Sequence, residues 1–437
     1  MNKNILIIAL LLCVGEKLQS QSLQWAAQIG GPNGGSNDFP NEWVKDMRTD
    51  AQGNVYICGR VGYNAQINGQ PLNLYINNSY SLFLAKLDCS GNVLWIKTAG
   101  GPNLAKAEAN CLELDHYGNI YLSGQINVSP INNNFVYFLD STITENTTDM
   151  FLAKFDTAGN FKWVKWAAPG NPILNSRGIK MQMDGNNRIN LLGNGSIAGL
   201  FFPGFNFITD SGGVFFAQFD TSGQLLYLKH PTLKLTGKVL DYKLSPAGDQ
   251  YITGYFSSDS MVIGNQVLYK LSTGTRTDLF LAKFDSAGSF DWAFNYGTNK
   301  FMMGFGVTAT ATEVALTGTV GNNYTIGSTT LTNPIAPSAN SYFPFIATYD
   351  VNGNLNGVVP VYTQYAASEP TAGITRMTNQ SLAISGWFAG IAIAGQDTLY
   401  AQGLGDMFIV TANSNLVFSS SEKIECTGSS NERPQCI

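Results

Sequence analysis

The sequence is poor in charge, and its charge is not collected on any basic segment. Charged residues make up 13% of the 437 residues, and the formal net charge is −5. A globular domain usually has about 25% charged residues. Because nucleic-acid binding depends on clustered Lys and Arg, we expect no nucleic-acid partner. A neutral, hydrogen-bonding surface is more typical of secreted β-proteins than of cytosolic enzymes.

Histidine is nearly absent, since only His116 and His230 occur, in unrelated sequence contexts. Two isolated histidines predict neither a Ser-His-Asp triad nor a His-based metal site. No glycine-rich loop joins a strand to a helix, so no phosphate-binding loop is predicted. We therefore predict no catalytic residues, no metal and no cofactor.

Long apolar runs are also missing, apart from one short run near the N-terminus. Residues 5–14 form an apolar segment of about ten residues after a positive start at Lys3, which is typical of a signal peptide over 1–20. Lipid attachment at Cys13 is the alternative, which the large Leu12 before it disfavours. No later run is long enough to cross a membrane. We expect a secreted or cell-surface protein, without a transmembrane segment and monomeric.

Cysteine is sparse, and its spacing matches no zinc site. Cys426 and Cys436 lie close together in a polar tail, 422–437, where an oxidising compartment favours a disulfide between them. Cys58 and Cys111 fall in predicted strands and Cys89 in a turn, so we interpret these three as free thiols.

What the chain does contain is a sixfold repeat. The segment Phe-Leu-Ala-Lys-Leu-Asp at 83–88 recurs in related form, ending at Asp156, Asp220, Asp285, Asp350 and, degraded, Asn413. These end points lie 68, 64, 65, 65 and 63 residues apart. A period of this length indicates one supersecondary unit used six times.

Each repeat contains four short apolar runs separated by turn residues. In the first repeat we predict strand a at 43–50, strand b at 55–59, strand c at 83–88 and strand d at 93–97. Asp-x-x-Gly-Asn segments separate a from b and c from d, as in antiparallel hairpins. Calcium binding there is disfavoured because each turn offers one carboxylate. The pattern predicts an all-β fold: a six-bladed β-propeller of four-stranded antiparallel blades with a period of about 65 residues, over 21–421. A β-solenoid, the main rival, usually has a shorter period.

Three further features refine this prediction. Strand b finishes on a glycine in every repeat, which indicates a bulge or a close backbone approach. The longer b–c segments contain an extra small hairpin, as at 67–72 and 263–268. Residues 23–31 resemble strand d without a preceding strand c, so we favour them as the strand that closes the ring; the alternative is that 416–418 are the last blade's own strand d.

These motifs resemble the SBBP-type bacterial β-propeller repeat. The resemblance is carried by segments such as Asp115–Gly124 and Asp149–Asp156 with Trp163, and it covers about 23–420. Asn190 in place of the Tyr and Thr411 in place of the Lys depart from the pattern. The resemblance implies a secreted or cell-surface protein of a kind common in Bacteroidetes, and it implies no catalytic residues.

The candidate functional residues lie where the repeats differ. Carboxylates expected on the d–a loops are Asp38, Glu42, Glu108 and Glu369, and Arg177 and Lys238 hold the corresponding places in the third and fourth repeats. Most aromatics fall at repeated positions and are interpreted as core. Those left for binding are Trp43, Trp387, Tyr75 and Tyr80.

Two hypotheses follow from these residues. We favour a non-enzymatic binding or scaffold module for a glycan, a protein or a surface component at the propeller face. The alternative is an extracellular carbohydrate-active enzyme that uses the d–a loop carboxylates. Strand a also carries a polar face, with Asp46, Arg48 and Glu113 among its members. We interpret this face as ion pairs between blades, with a polar ligand channel as the alternative.

Overall fold

The structure is a computed structural model. The residues that it describes are 5–7, 25–30, 42–62, 64–74, 80–102, 105–128, 135–139, 141–143, 147–166, 168–169, 176–195, 200–201, 213–230, 233–234, 237–298, 300–336, 342–365, 371–402 and 405–424. Every regular element in these ranges is a β-strand, as the sequence predicts. No helix in them is long and apolar enough to cross a membrane.

The chain divides into two compact units, Met1–Leu228 and Lys229–Ile437. The strands up to the end of the third repeat are β1 Ile5–Ile7, β2 Ala27–Gly30, β3 Trp43–Thr49, β4 Val55–Val61, β5 Gln66–Ile67, β6 Gln70–Pro71, β7 Ser81–Leu87, β8 Val93–Ala99, β9 Lys106–Leu114, β10 Ile120–Val128, β11 Val136–Phe138, β12 Ser141–Ile143, β13 Thr147–Phe155, β14 Phe161–Trp166, β15 Ala168–Pro169, β16 Ser176–Met183, β17 Ile189–Gly195, β18 Leu200–Phe201, β19 Gly213–Phe219 and β20 Leu225–Lys229.

The strands that follow belong to the second unit. They are β21 Leu233–Lys234, β22 Gly237–Leu244, β23 Gln250–Phe256, β24 Ser260–Ile263, β25 Gln266–Tyr269, β26 Asp278–Phe284, β27 Phe290–Tyr296, β28 Met303–Ala309, β29 Glu313–Gly321, β30 Tyr324–Ile326, β31 Thr329–Leu331, β32 Tyr342–Asp350, β33 Leu355–Pro360, β34 Tyr362–Tyr365, β35 Thr371–Arg376, β36 Leu382–Ala394, β37 Asp397–Tyr400, β38 Asp406–Ala412 and β39 Phe418–Ile424.

Each repeat forms one antiparallel sheet in the order a-b-c-d. The first three sheets are β3-β4-β7-β8, β9-β10-β13-β14 and β16-β17-β19-β20, and the next two are β22-β23-β26-β27 and β28-β29-β32-β33. In the sixth, β35 and β38 pair with the long strand β36, and β39 pairs with β38. The predicted four strands per repeat are confirmed. The extra hairpins in the b–c segments are also present, as β5-β6, β24-β25 and β30-β31.

The a–b and c–d turns lie together at one end of each sheet, which we call the turn end. At Asp50, one carboxylate oxygen accepts the backbone N–H groups of Gln52 and Asn54, at 3.0 and 2.9 Å, and the other accepts the Asn54 side chain at 2.8 Å. Asp88, Asp115, Asp156 and Asp350 repeat this arrangement. The aspartates therefore stabilise the turns, because their carboxylate oxygens accept hydrogen bonds from N–H groups of the same turn.

The opposite end, where strand a begins and strand b finishes, is marked by a β-bulge, and we call it the bulge end. Strand a of every sheet has one extra residue opposite strand b, for example Lys45 between Val44 and Asp46. The strand-b glycine pairs beside it, and strand b continues for one or more residues beyond that glycine. A Cβ on Gly124 would lie 2.0 Å from the carbonyl oxygen of Glu108, so this position has no room for a side chain. The predicted bulge is confirmed, but the prediction that strand b finishes on the glycine is wrong, because the strand continues past it in each of the six sheets.

The lysine of the recurring segment belongs to a packing motif at the turn end. Lys86 lies 4.8 Å from the centre of the Tyr56 ring and 3.6 Å from Asp50, and Tyr56 donates to Asp50 at 3.2 Å. The strand-d Trp95 contacts the same tyrosine, with ring centres 6.2 Å apart. Tyr121 with Trp163 and Tyr251 with Trp292 repeat the 6.2 Å contact. The segment therefore recurs because its residues make the same packing contacts in successive sheets.

Successive sheets within each unit are joined through their strands a. Asp46, which is buried, accepts the backbone N–H of Leu112 at 3.1 Å, and Asp241 accepts that of Val307 at 2.9 Å. Arg48 donates to Asp46 at 2.8 Å and to Glu113 at 3.2 Å. The expected ion pairs between sheets are thus present in the first unit. The ligand-channel alternative stays a prediction.

The ends of the chain require two corrections. The outer strand of the sixth sheet is β39, which pairs with β38, so this sheet has its own strand d, as the alternative held; the strand begins at Phe418, later than the expected 416–418. β2, expected over 23–31 as that closing strand, instead pairs with β1 and with β5 of the first repeat. β39 also runs to Ile424, past the predicted boundary at 421. The cysteines at 426 and 436 lie outside the described residues.

Candidate functional site

Four of the predicted site residues hold one equivalent position at the bulge end. Each of them lies in strand a and pairs with the strand-b residue that directly follows the glycine. The four residues are Trp43, Glu108, Arg177 and Lys238. They therefore lie in strand a and not in the d–a loops, which corrects the expectation for Glu108, Arg177 and Lys238. Glu42 directly precedes β3. The other two carboxylates expected on these loops, at 38 and 369, lie outside the described residues, as does the tyrosine at 75.

In the first unit this position carries a cluster of charged and aromatic side chains. We call it the Trp43 patch and define it as Trp43, Lys45, Arg60, Tyr80, Lys106 and Glu108. Its centre is the Glu108 carboxylate, where Oε1 lies 3.2 Å from Lys45 Nζ and Oε2 lies 3.3 Å from Arg60 Nη1. The Glu108 side chain is only 12% exposed. One carboxylate of the second sheet thus fixes two cations of the first sheet.

The same cations lie over aromatic rings. Lys45 Nζ lies 3.9 Å from the centre of the Trp43 ring, and Arg60 lies 4.4 Å from it. Arg60 also lies 4.8 Å from the centre of the Tyr80 ring, and Lys106 lies 5.4 Å from that centre. Cations at these distances are attracted by the negative face of the ring. Ion pairs and ring contacts together hold the patch in one arrangement.

Trp43 differs from the other tryptophans of the chain. It is 42% exposed, whereas Trp387 is 7% exposed. The strand-d tryptophans pack against the turns of the next sheet, so that a Cβ on Gly159 would lie 2.9 Å from Trp95. Trp43 is therefore the tryptophan that offers the most surface to a ligand.

The charges of the patch are unbalanced. Burial lowers the pKa of Lys45; Glu108 opposes this effect, and Arg60 and Arg177 add to it by repulsion. Burial also raises the pKa of Tyr80, with a further contribution from Glu108. Among the six residues that define the patch, the three cations Lys45, Arg60 and Lys106 accompany one carboxylate, that of Glu108.

Two of the predicted site residues, Lys238 and Trp387, lie in the second unit. Lys238 is exposed and pairs with Tyr255 across the sheet. Trp387 is buried against Gly405, so it does not offer the surface that was expected of it; its indole Nε1 has no hydrogen-bond partner among the described residues. Neither residue belongs to the Trp43 patch.

Sequence reasoning identified Trp43, Tyr80 and Glu108 but missed Lys45, Arg60 and Lys106. Two of these carry a signal in the repeat. Lys45 is the extra residue of the bulge, and Arg60 follows the strand-b glycine directly opposite Trp43. Lys106 begins strand a of the next sheet, and its contact with Tyr80 depends on how two sheets pack.

The described residues hold no group of three His, Cys, Asp or Glu side chains arranged to bind a metal ion. Cys58 and Cys111 are buried thiols and Cys89 is an exposed thiol, in agreement with their interpretation from the sequence. Burial raises the pKa of the Cys111 thiol. A buried thiol of this kind is inert.

No protein-family model matches the chain, and no curated protein matches it. Among solved structures, the chain is similar to a polysaccharide lyase of family PL25, an ulvan lyase, at 12% identity and a TM-score of 0.40 over 92% of this chain and 86% of that one. It is also similar to a protein of unknown function from Dyadobacter fermentans, at 10% identity and a TM-score of 0.39 over 80% of this chain and 92% of that one. A protein of unknown function from Bacteroides caccae matches at 12% identity and a TM-score of 0.27, over 63% of this chain and 86% of that one.

Proposed function

We propose that this protein is a secreted, non-enzymatic binding module whose Trp43 patch binds a carbohydrate. The observation that carries the proposal is a half-exposed indole flanked by charged side chains that a largely buried carboxylate holds in place. An indole offers a rigid apolar face, and fixed polar groups beside it supply hydrogen bonds and orientation. Because the ion pairs already order these side chains, binding costs little further conformational entropy.

The ion pairs of the Glu108 carboxylate favour a binding function over hydrolysis. Glycoside hydrolysis needs one carboxyl group to protonate the leaving oxygen and a second, about 5–9.5 Å away, to act as nucleophile or base. Both oxygens of Glu108 are engaged by Lys45 and Arg60. A carboxylate held in this way orients its neighbours rather than transferring protons.

The test is a glycan array followed by titration of the purified protein with each bound glycan. We expect stoichiometric binding without chain shortening, and at least a tenfold loss of affinity in Trp43→Ala. Tyr117→Ala, which removes a ring that is 79% exposed at a turn end, is the matched control and should bind normally. Turnover that Glu108→Gln or Glu42→Gln abolishes would overturn the binding proposal in favour of the enzyme alternative.

We also propose that the sheets form a six-bladed ring. What supports this is the recurrence of one four-stranded a-b-c-d arrangement in successive repeats, with each strand a in contact with the next strand a within a unit. Trp25, which precedes β2, donates its indole N–H to the carbonyl of Cys89 at 2.9 Å, so the N-terminal segment also packs on the first sheet. An experimental structure with five or seven sheets around the axis would refute the ring.

The SBBP-type resemblance and the secretion that it implies belong to the same proposal. We expect the mature protein to begin at Gln21. N-terminal sequencing of protein recovered from the medium or the cell surface checks this, and an intact Met1 there would contradict it.

A further inference from the structure

The Trp43 patch is rich in hydrogen-bond donors and poor in acceptors. Lys45, Arg60 and Lys106 donate only, and the Glu108 carboxylate, the acceptor among the charged groups, is already bound to two of them. A neutral sugar presents hydroxyl groups that both donate and accept. A carboxylate or sulfate group only accepts, so it is the better complement to this set of side chains.

Two cations of the patch lie near the same aromatic ring. Arg60 and Lys106 lie over the same tyrosine ring, at 4.8 and 5.4 Å from its centre, so they are within about 10 Å of each other. Arg60 also lies over Trp43, which places the exposed indole beside the same charges. Lys45 is repelled by Arg60 and Arg177, and an incoming anion relieves that repulsion.

We propose that the Trp43 patch binds an acidic polysaccharide, with a uronate carboxylate or a sulfate ester near Arg60 and Lys106 and a sugar ring on Trp43. This inference rests on the proposed carbohydrate function and adds the chemical class of the ligand. A nucleic acid offers the same anionic chemistry, but its binding needs a basic groove that follows the backbone over several nucleotides, with bases stacked on several aromatic rings. The patch offers three cations beside one half-exposed indole.

The experiment compares acidic glycans with their neutral counterparts by calorimetric titration at low salt. The probes are polygalacturonic acid, its carboxyl-reduced form, a sulfated galactan and its desulfated form, and single-stranded DNA. We expect at least one acidic glycan to bind, at least tenfold tighter than its neutralised form, with an affinity that falls as salt rises. Binding of polygalacturonic acid would identify a uronate carboxylate as the recognised group, and binding of the sulfated galactan would identify a sulfate ester.

Lys106→Met is the decisive variant, because it removes one charge and keeps an apolar chain against Tyr80 without disturbing the Glu108 ion pairs. We expect about a tenfold loss of affinity for the acidic glycan. Lys165→Met is the matched control, since Lys165 is an exposed lysine on the outer strand of the same sheet, and it should bind normally.

The possible failures are distinguishable. If carboxyl-reduced or desulfated glycans bind as well as the acidic forms and Lys106→Met has no effect, while Trp43→Ala still abolishes binding, the acidic class is wrong and the carbohydrate function stands. If no glycan binds, the proposed function itself fails. Single-stranded DNA that binds tighter than every acidic glycan would overturn the choice of polysaccharide.

Discussion

The turn end and the bulge end of each sheet are built from the same four strands, yet only one of them repeats its side chains. At the turn end, aspartate, tyrosine, lysine and tryptophan recur in the same contacts, as with Tyr56 and Trp95 or Tyr121 and Trp163. At the bulge end, one backbone position carries Trp43, Glu108, Arg177 and Lys238 in successive sheets.

The difference separates what folds the chain from what distinguishes it. The turn end repeats because each sheet must close the same hairpins and bury the same rings. The bulge end repeats only in its backbone, where the glycine and the extra residue of strand a recur. The side chains there are therefore open to a role other than packing.

The largest expected effect on stability comes from placing a side chain at the strand-b glycine of the bulge end. Gly124→Ala places a Cβ 2.0 Å from the carbonyl oxygen of Glu108, where backbone has to move. We expect the free energy of unfolding to fall by about 2–3 kcal/mol, as for an overpacked core. Urea unfolding of the full chain measures it.

Gly185→Ala is the control in the same unit, because nothing lies within 4 Å of the new Cβ. Its effect should stay within about 1 kcal/mol in either direction. Equal losses in the two variants would show that the close approach at the bulge is not what Gly124 provides.

A smaller effect tests whether the turn end is equivalent from sheet to sheet. Tyr121 donates to Asp115 at 3.1 Å, whereas the Tyr251 hydroxyl is buried without a hydrogen-bond partner among the described residues. We expect Tyr121→Phe to lower the free energy of unfolding by about 1 kcal/mol, and Tyr251→Phe to leave it unchanged or raise it. Denaturant titration of both variants decides this, and a larger loss in Tyr251→Phe would contradict it.

The smallest effect concerns pH at the turns. The Asn92 side chain, followed by its backbone N–H, lowers the pKa of Asp88, and Asn354 does the same for Asp350. A carboxylate whose pKa is lower in the folded state stabilises the protein above its unfolded pKa, about 3.9, and loses this contribution as the pH falls.

We therefore expect the thermal midpoint to fall between pH 5 and pH 3, and to fall less in Asp88→Asn. Asp259→Asn replaces an exposed aspartate outside these turns and should leave the pH dependence unchanged. An Asp88→Asn variant with the same acid sensitivity as the parent protein would exclude this turn as a source.

Most of the sheet structure could be predicted from the sequence, because its causes are local. The Asp-x-x-Gly-Asn turns and the alternation between them place the strands of the first repeat close to where they occur, and the strand-b glycine indicates the bulge. The pairing of the terminal segments was harder to predict. Residues 23–31 and 416–418 both resemble the start of strand d, and the contact of Trp25 with the first sheet explains the resemblance of the former.

The candidate site could be predicted only in part. Trp43 and Tyr80 were found because they fall outside the repeated aromatic positions. The role of Glu108 as the anchor of Lys45 and Arg60 could not be predicted, because it depends on contact between two different sheets at a position where the side chains do not repeat. Nor did the sequence show that Trp387 is buried.

Hydroxyl-radical footprinting in the presence of an acidic polysaccharide tests the central claim most directly, because it compares the two ends in one experiment. Trp43 and Tyr80 report on the bulge end, and Tyr117, which is 79% exposed, reports on the turn end. We predict that the polysaccharide protects Trp43 and Tyr80 from oxidation and leaves Tyr117 unchanged. Protection of Tyr117 without protection of Trp43 would contradict the assignment of binding to the bulge end.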